Sequence, residues 1–149
     1  MSSREEVTAK ILSKKVELGL AWKTIASELG SSSPIIYTAA LLGQMTLTTE
    51  EAAKAAILFG LTKEETNWLV LSPERGATAI MPPTDPLIYR FYELIQNYGT
   101  TWKALIEEEF GDGIMSAIDF NMSIEREADP KGDRVKIGMS GKFLPFKRF

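Results

Sequence analysis

Two residue types are missing from this chain of 149 residues, which contains neither cysteine nor histidine. Without cysteine it cannot form disulfides, thiolate nucleophiles, zinc fingers or iron–sulfur clusters. Without histidine it cannot use Ser-His-Asp or Cys-His catalysis, an HExxH metal site, or the usual general base of neutral pH. Any polar chemistry must therefore come from Arg, Lys, Asp, Glu, Ser, Thr and Tyr, or from the substrates themselves.

Long apolar runs and an excess of one charge are also lacking. The longest apolar stretch, Ala55–Leu61, has seven residues including Gly60, far short of the roughly 18 that a membrane span requires. The N-terminus carries acids where a signal or transit peptide would carry an apolar core or arginines, so we expect a cytosolic protein. With 17 Lys and Arg against 20 Asp and Glu, the net charge of −3 provides no overall attraction to nucleic acid or anionic lipid.

The first half of the chain has the pattern of five short helices. Apolar residues recur there at helical spacing, and Thr62 with Glu65 forms the capping-box signature of the fifth helix. Glycines stand where four of the helices are expected to end: Gly19, Gly30, Gly43 and Gly60. We therefore predict an all-helical domain over residues 1–72. A linker over residues 73–86 follows, because prolines accumulate there without any strong periodicity.

The second half, residues 87–149, changes from helical to strand periodicity. Helices are predicted over residues 85–98 and again over 100–110. From Ala117 onward apolar and polar residues alternate in two segments around a turn at residues 129–133, which predicts a β-hairpin. Its apolar face is expected to contain Ile118, Phe120, Met122, Ile124, Val135, Ile137 and Met139. The fold class is therefore α+β, and because a lone hairpin is marginal in water, a second copy of the chain is expected to cover this face in a dimer.

Residues 22–43 have the layout of a phage-repressor-like helix-turn-helix, in which a second helix could enter a DNA major groove. That helix would offer hydroxyl groups such as that of Tyr37 to the bases. However, the 30 residues between Lys23 and Lys54 contain no Lys or Arg, whereas DNA binding needs several cations facing phosphates. A packing module of this shape is favoured, and a DNA-binding regulator with a C-terminal dimerisation domain is the alternative function.

Arg90, Glu93 and Ser116 in the second half are candidate site residues, although their spacing alone also permits simpler interpretations. Arg90 and Glu93, three residues apart on a helix, are compatible with a surface ion pair worth ~0.3 kcal/mol. Ser116 could be a turn or capping serine; it is a poor nucleophile without a histidine, but its hydroxyl can donate to an anion. The acid run Glu107–Glu109 is most simply a solvated helix face without EF-hand spacing.

A set of motifs in the second half points to a known family. The motifs are Pro83-Thr84-Asp85-Pro86, Tyr89-Arg90-Phe91-Tyr92-Glu93, Tyr98-Gly99-Thr100-Thr101, Phe110-Gly111-Asp112-Gly113-Ile114-Met115-Ser116-Ala117-Ile118 and Gly141-Lys142-Phe143-Leu144-Pro145. Together with Thr38-Ala39-Ala40-Leu41-Leu42-Gly43-Gln44, they strongly resemble the cyanase family, also called cyanate hydratase or cyanate lyase. The resemblance covers nearly the whole chain, and the C-terminal motifs are highly specific.

The resemblance implies both a reaction and an assembly. The family converts cyanate and bicarbonate to carbamate and carbon dioxide, and carbamate then yields ammonia and more carbon dioxide. Its catalytic arginine, glutamate and serine match Arg90, Glu93 and Ser116. It also implies a homodecamer of five dimers with active sites between subunits, a repressor-like N-terminal domain without a DNA role, and no cofactor or metal. Members often carry a histidine where this chain has Glu107, so that histidine is not essential to the chemistry.

The residues themselves suit a reaction between two small anions, which requires positive charge and directed hydrogen-bond donors in a dry pocket. Arg90 would provide a planar cation suited to bicarbonate, Glu93 would hold the guanidinium, and Ser116 would donate to an anion oxygen. Bicarbonate would be its own nucleophile and would carry a proton for the cyanate nitrogen. A third possibility, a purely structural assembly module, accounts for the hairpin but not for the motifs around Arg90 and Ser116.

Overall fold

The computed structural model describes residues 1–74 and 82–149, which form six helices followed by two strands. The elements are α1 (Arg4–Leu18), α2 (Trp22–Leu29), α3 (Pro34–Leu41), α4 (Thr49–Phe59), α5 (Lys63–Val70), α6 (Pro86–Phe110), β1 (Gly113–Glu127) and β2 (Arg134–Pro145). The chain divides into two compact units, Met1–Ala77 and Thr78–Phe149. The α+β fold class and the five N-terminal helices are confirmed. Of the predicted linker, residues 75–81 lie outside the described part of the chain.

Local hydrogen-bonding chemistry sets the helix boundaries of the first unit. The Thr62 hydroxyl accepts the backbone N–H of Glu65, and the Glu65 carboxylate accepts that of Thr62, which is the predicted capping box of α5. Thr48 and Glu51 form the same arrangement at α4. Gly19 ends α1 in the left-handed conformation, with φ of 62°, where a side chain would be strained.

The apolar core of the described residues lies in the first unit, where α1–α5 pack together. Its largest fully buried side chains are Tyr37, Phe59, Ile11, Ile25, Leu29, Leu41, Leu69 and Val7. Each contributes about 1.5–3 kcal/mol by leaving water. The first unit therefore has a core sufficient for a small helical domain.

The prediction of two helices in the second unit is wrong, because α6 continues without a break for 25 residues, from Pro86 to Phe110. Gly99 lies inside it at a cost of about 1 kcal/mol relative to alanine. The apolar stripe of α6 runs through this point at helical spacing, and its members are Leu87, Phe91, Leu94, Tyr98, Trp102 and Leu105. Since the stripe keeps its helical spacing on both sides of Gly99, one continuous helix presents it as a single surface.

The predicted hairpin is present, with β1 and β2 paired antiparallel. Met122 faces Met139 and Ile124 faces Ile137, so these residues share one face as expected. Ile118, expected on the same face, lies instead in a break of the register between Met115 and Phe120, and it is 97% exposed. The hairpin therefore carries the predicted apolar face without Ile118, together with a bulge that its alternation did not reveal.

The second unit differs from the first in how little of it is buried. Ser116 is the one buried residue in the range 82–149, and the whole α6 stripe is exposed within a single chain. No helix among the described residues is long and apolar enough to cross a membrane.

Candidate active site

The predicted cation, Arg90, lies on the second turn of α6. Asp85 caps this helix by accepting the backbone N–H groups of Leu87 and Ile88, at 2.9 and 3.0 Å, and Pro86 occupies the first helical position. Arg90 Nη1 donates to Oε2 of Glu93, one turn further along. The Arg90 guanidinium carbon is 5.7 Å from the centre of the Tyr89 ring, within cation–π range. The guanidinium therefore contacts both Glu93 and the Tyr89 ring.

This ion pair is exposed in a single chain. The side chains of Arg90 and Glu93 are 61% and 38% exposed. In such a setting the attraction is screened by water and stabilises the fold very little, by about 0.3–0.5 kcal/mol. The remaining N–H groups of the Arg90 fork are accordingly open to an external anion.

Ser116 has the opposite environment, because it is only 5% exposed. Its Oγ accepts the backbone N–H groups of Ile118 and Asp119, at 3.0 and 2.9 Å. A serine hydroxyl has two lone pairs and one hydrogen. Since both acceptor positions are occupied by amides, the hydroxyl hydrogen is what Ser116 can offer to a ligand.

The structure joins two of the three predicted site residues directly. Arg90 and Glu93 are paired, whereas Ser116 Oγ accepts hydrogen bonds from the backbone amides of Ile118 and Asp119. The alternation of apolar and polar residues did not predict the bulge that contains Ser116. The signal for it lies in Ser116-Ala117-Ile118-Asp119, because a serine hydroxyl readily accepts the amides two and three residues ahead of it.

One member of the acid run on α6 takes part in a local ion pair. Glu107 pairs with Lys103 one turn earlier. Its carbonyl accepts the backbone N–H of Gly111, the residue that ends α6. Among the described residues, no group of three or more acidic side chains is arranged to hold a metal ion.

The alternative of a DNA-reading helix is not supported by α3. Tyr37 is buried, its hydroxyl donates to Glu51 Oε1 at 3.1 Å, and it accepts the backbone N–H of Ser32 at 3.0 Å. A methyl group on Gly30 would stand 2.5 Å from the Tyr37 hydroxyl, so Gly30 makes room for this ring. The helix-turn-helix shape therefore serves the packing of the first unit.

Comparison with known proteins gives a consistent result over both units. Residues 4–73 match the family model "Cyanate hydratase, N-terminal" and residues 80–148 match "Cyanate lyase C-terminal domain". The chain is 55% identical over 147 residues to a cyanate hydratase of Albidiferax ferrireducens and 57% identical to one of Methylibium petroleiphilum, covering 99% of both chains in each case. The crystal structure of a cyanase from T. urticae matches with a TM-score of 0.78 at 36% identity, over 93% of this chain and 96% of that one. The chain therefore belongs to the cyanate hydratase, or cyanate lyase, family.

Proposed function

We propose that this protein is a lyase that decomposes cyanate with bicarbonate as co-substrate. Cyanate, bicarbonate and one proton give carbamate and carbon dioxide, and carbamate with a second proton gives ammonia and carbon dioxide. The observation that carries this proposal is the Ser116 hydroxyl, whose two acceptor positions are filled by the amides of Ile118 and Asp119. A chain with no histidine and with a serine fixed as a donor is suited to binding anions, which then react with each other.

Arg90 is the cation of the proposed site. Its planar guanidinium can donate two parallel hydrogen bonds to the oxygens of bicarbonate, a geometry that lysine cannot reproduce. Glu93 accepts from Nη1 and so fixes the plane of the group before the substrate arrives. We assign Glu93 a positioning role and Arg90 a substrate-binding role.

Ser116 is the second donor of the proposed site. Because only 5% of the residue is exposed, only a small group can approach its hydroxyl. An oxygen of cyanate or bicarbonate meets this condition. Its hydrogen bond would strengthen as negative charge moves onto that oxygen during attack.

Bicarbonate provides the remaining chemistry. Its oxygen attacks the cyanate carbon, and the new carboxy-carbamate then breaks the bond between the former bicarbonate carbon and the bridging oxygen. Carbon dioxide leaves, and the electron pair remains on carbamate, whose nitrogen has taken up the bicarbonate proton and one from water. No step needs a histidine, and the proposal includes neither a metal nor an organic cofactor. Removal of cyanate, which reacts with amino groups, is the proposed benefit to the cell.

The proposed active enzyme is an oligomer, a decamer of five dimers as the family resemblance implies. Support comes from the second unit, where the apolar stripe of α6 and the face around Met122 and Ile124 are both exposed in a single chain. Apolar surfaces of this extent are usually interaction surfaces. A neighbouring chain that covers them would also enclose Arg90, which is too exposed here to bind an anion in a dry pocket.

The direct test is to incubate the purified protein with cyanate in carbon dioxide-free buffer, with and without added bicarbonate, and to measure ammonia. The proposal predicts rapid ammonia release that depends on bicarbonate. A rate that is the same with and without bicarbonate would contradict the co-substrate role, and no release under either condition would contradict the activity.

A further inference from the structure

Ser116 is the first residue of the bulge on β1, where the pairing register between β1 and β2 shifts. Between the pairs Met115–Phe143 and Phe120–Gly141, β1 contains the four residues 116–119 where β2 contains only Lys142. A bulge of this kind leaves amides without partners on the neighbouring strand. The Ser116 hydroxyl accepts two of them, so its orientation and the shape of the bulge depend on each other.

Gly141 is the residue of β2 that packs directly against this bulge. A methyl group placed on Gly141 would come closer than 3.0 Å to the backbone carbonyl oxygen of Ser116 and would lie 2.6 Å from Cγ of Met115. A backbone carbonyl cannot swing aside as the end of a long side chain can. Gly141 is not among the glycines with positive φ. Space alone therefore requires glycine here.

We propose that Gly141 is a positioning residue for the Ser116 hydroxyl. Because Gly141 has no side chain, β2 can lie against the Ser116 carbonyl and hold residues 116–119 in the one shape in which both amides reach Oγ. A side chain at this position would push the Ser116 carbonyl away, open the two hydrogen bonds, and release the hydroxyl from its fixed role as donor. The inference rests on the proposed function for its catalytic consequence, but not for its structural one.

Two other glycines of the hairpin provide matched controls. At Gly113, a methyl group would also meet backbone closer than 3.0 Å, at the Leu144 carbonyl and at Pro145 Cα, and its three nearest contacts belong to Phe143, Leu144 and Pro145 rather than to Ser116. At Gly138, on the same strand as Gly141, a methyl group would lie 3.0 Å from Oγ of Ser123, an exposed side chain that can turn away. Gly113→Ala thus reproduces the steric clash elsewhere, and Gly138→Ala reproduces the substitution without the clash.

The first measurement is hydrogen exchange of the assembled proteins, followed in overlapping peptides that isolate the amides of Ile118 and Asp119. For Gly141→Ala we expect exchange at these two amides to accelerate at least about tenfold, as for groups that have lost their hydrogen bonds. Both control variants should leave the two amides within about threefold of the unsubstituted protein. Unchanged protection in Gly141→Ala would overturn the proposal. So would equal loss in Gly113→Ala, or failure of Gly141→Ala to assemble, since Gly141 would then serve the hairpin as a whole.

The second measurement is a double-mutant cycle in turnover with Ser116→Ala. Gly141→Ala alone should lower kcat/KM by about tenfold to a hundredfold, the effect of one lost hydrogen bond to a charged ligand. In the Ser116→Ala background the same substitution should change kcat/KM by less than about threefold, because the group it positions is gone. Fully additive losses would overturn the proposal. If the unsubstituted protein did not consume cyanate, the proposed function would fail, while the exchange experiment would still decide the role of Gly141.

Discussion

Arg90 and Glu93 stand one turn apart on α6, and Nη1 of Arg90 donates to Oε2 of Glu93 while the rest of the guanidinium remains exposed. As an exposed ion pair, this contact stabilises the fold by only about 0.3–0.5 kcal/mol. In the proposed function, the contact fixes the plane of the Arg90 guanidinium before the anion binds. The two residues can therefore be substituted without unfolding the protein, and their roles can be separated by activity.

Arg90→Lys is expected to keep the fold and the oligomer but to lose most of the activity. Lysine retains the charge, yet it cannot form two parallel hydrogen bonds to a planar anion. The measurement is ammonia release, with size-exclusion chromatography as the control for assembly. Near-normal turnover in a correctly assembled Arg90→Lys protein would show that Arg90 is only a surface ion-pair residue.

Glu93→Gln is expected to raise KM for bicarbonate and to lower kcat less than Arg90→Lys does. Glutamine still accepts a hydrogen bond from Nη1 but no longer attracts the guanidinium as a charge, so Arg90 adopts more orientations. Glu50→Gln is a matched control, since Glu50 also pairs with a cation on an exposed helix face, Lys54 at 3.7 Å. If the two substitutions had the same small effect on the kinetics, the positioning role of Glu93 would be wrong.

Ser116→Ala is expected to reduce both activity and stability. The substitution removes the proposed donor to the anion, and it removes the acceptor of the Ile118 and Asp119 amides, at about 0.5–1.5 kcal/mol for each lost hydrogen bond. Ser123→Ala, at an exposed position of the same strand, should leave both properties unchanged. Thermal unfolding and ammonia release check the two effects separately. A Ser116→Ala protein with unaltered stability would contradict the hydrogen bonds assigned to its hydroxyl.

The first unit should lose stability in acid through Glu65. The Lys10 ammonium, 2.7 Å away, lowers the pKa of the Glu65 carboxyl below its ordinary value of 4.5, and the backbone N–H of Thr62 lowers this pKa further. A carboxyl whose pKa is lower in the folded state stabilises the fold above its ordinary pKa, and it loses that contribution as the pH falls through the folded value.

Glu65→Gln should therefore be less stable than the unsubstituted protein at neutral pH, and the difference should disappear in strong acid. Urea unfolding at a series of pH values from about 7 to about 2 measures this difference. Glu50→Gln again serves as the control. A stability difference that stayed constant across this range would show that Glu65 acts by packing or capping rather than by its charge.

Local chemistry made much of the fold predictable. The capping box of Thr62 and Glu65 and the Asp85-Pro86 helix start are decided within four residues of sequence, and both are present. The break expected near Gly99 is absent because a glycine costs a helix only about 1 kcal/mol. The apolar residues before and after Gly99 follow the same helical spacing, which indicates one helix. A search for helix ends residue by residue does not use this spacing.

The site was less predictable, for a physical reason. Arg90 and Glu93 are neighbours on one helix, so their pairing follows from spacing. The environment of Ser116 depends on Gly141, which is 25 residues away on the other strand, and on a register change that alternation alone does not specify. The roles of Arg90, Glu93 and Ser116 in catalysis stay predictions until they are measured.

The most direct test of the account is complementation between two inactive proteins. Arg90→Ala and Ser116→Ala chains are mixed, dissociated and reassembled, and ammonia release is measured on oligomers whose mixed composition is verified by mass. If each site combines Arg90 of one chain with Ser116 of another, some hybrid sites contain both intact residues and activity returns. No recovery in verified mixed oligomers would mean that each site takes both residues from a single chain, which contradicts the proposal of a site shared between chains.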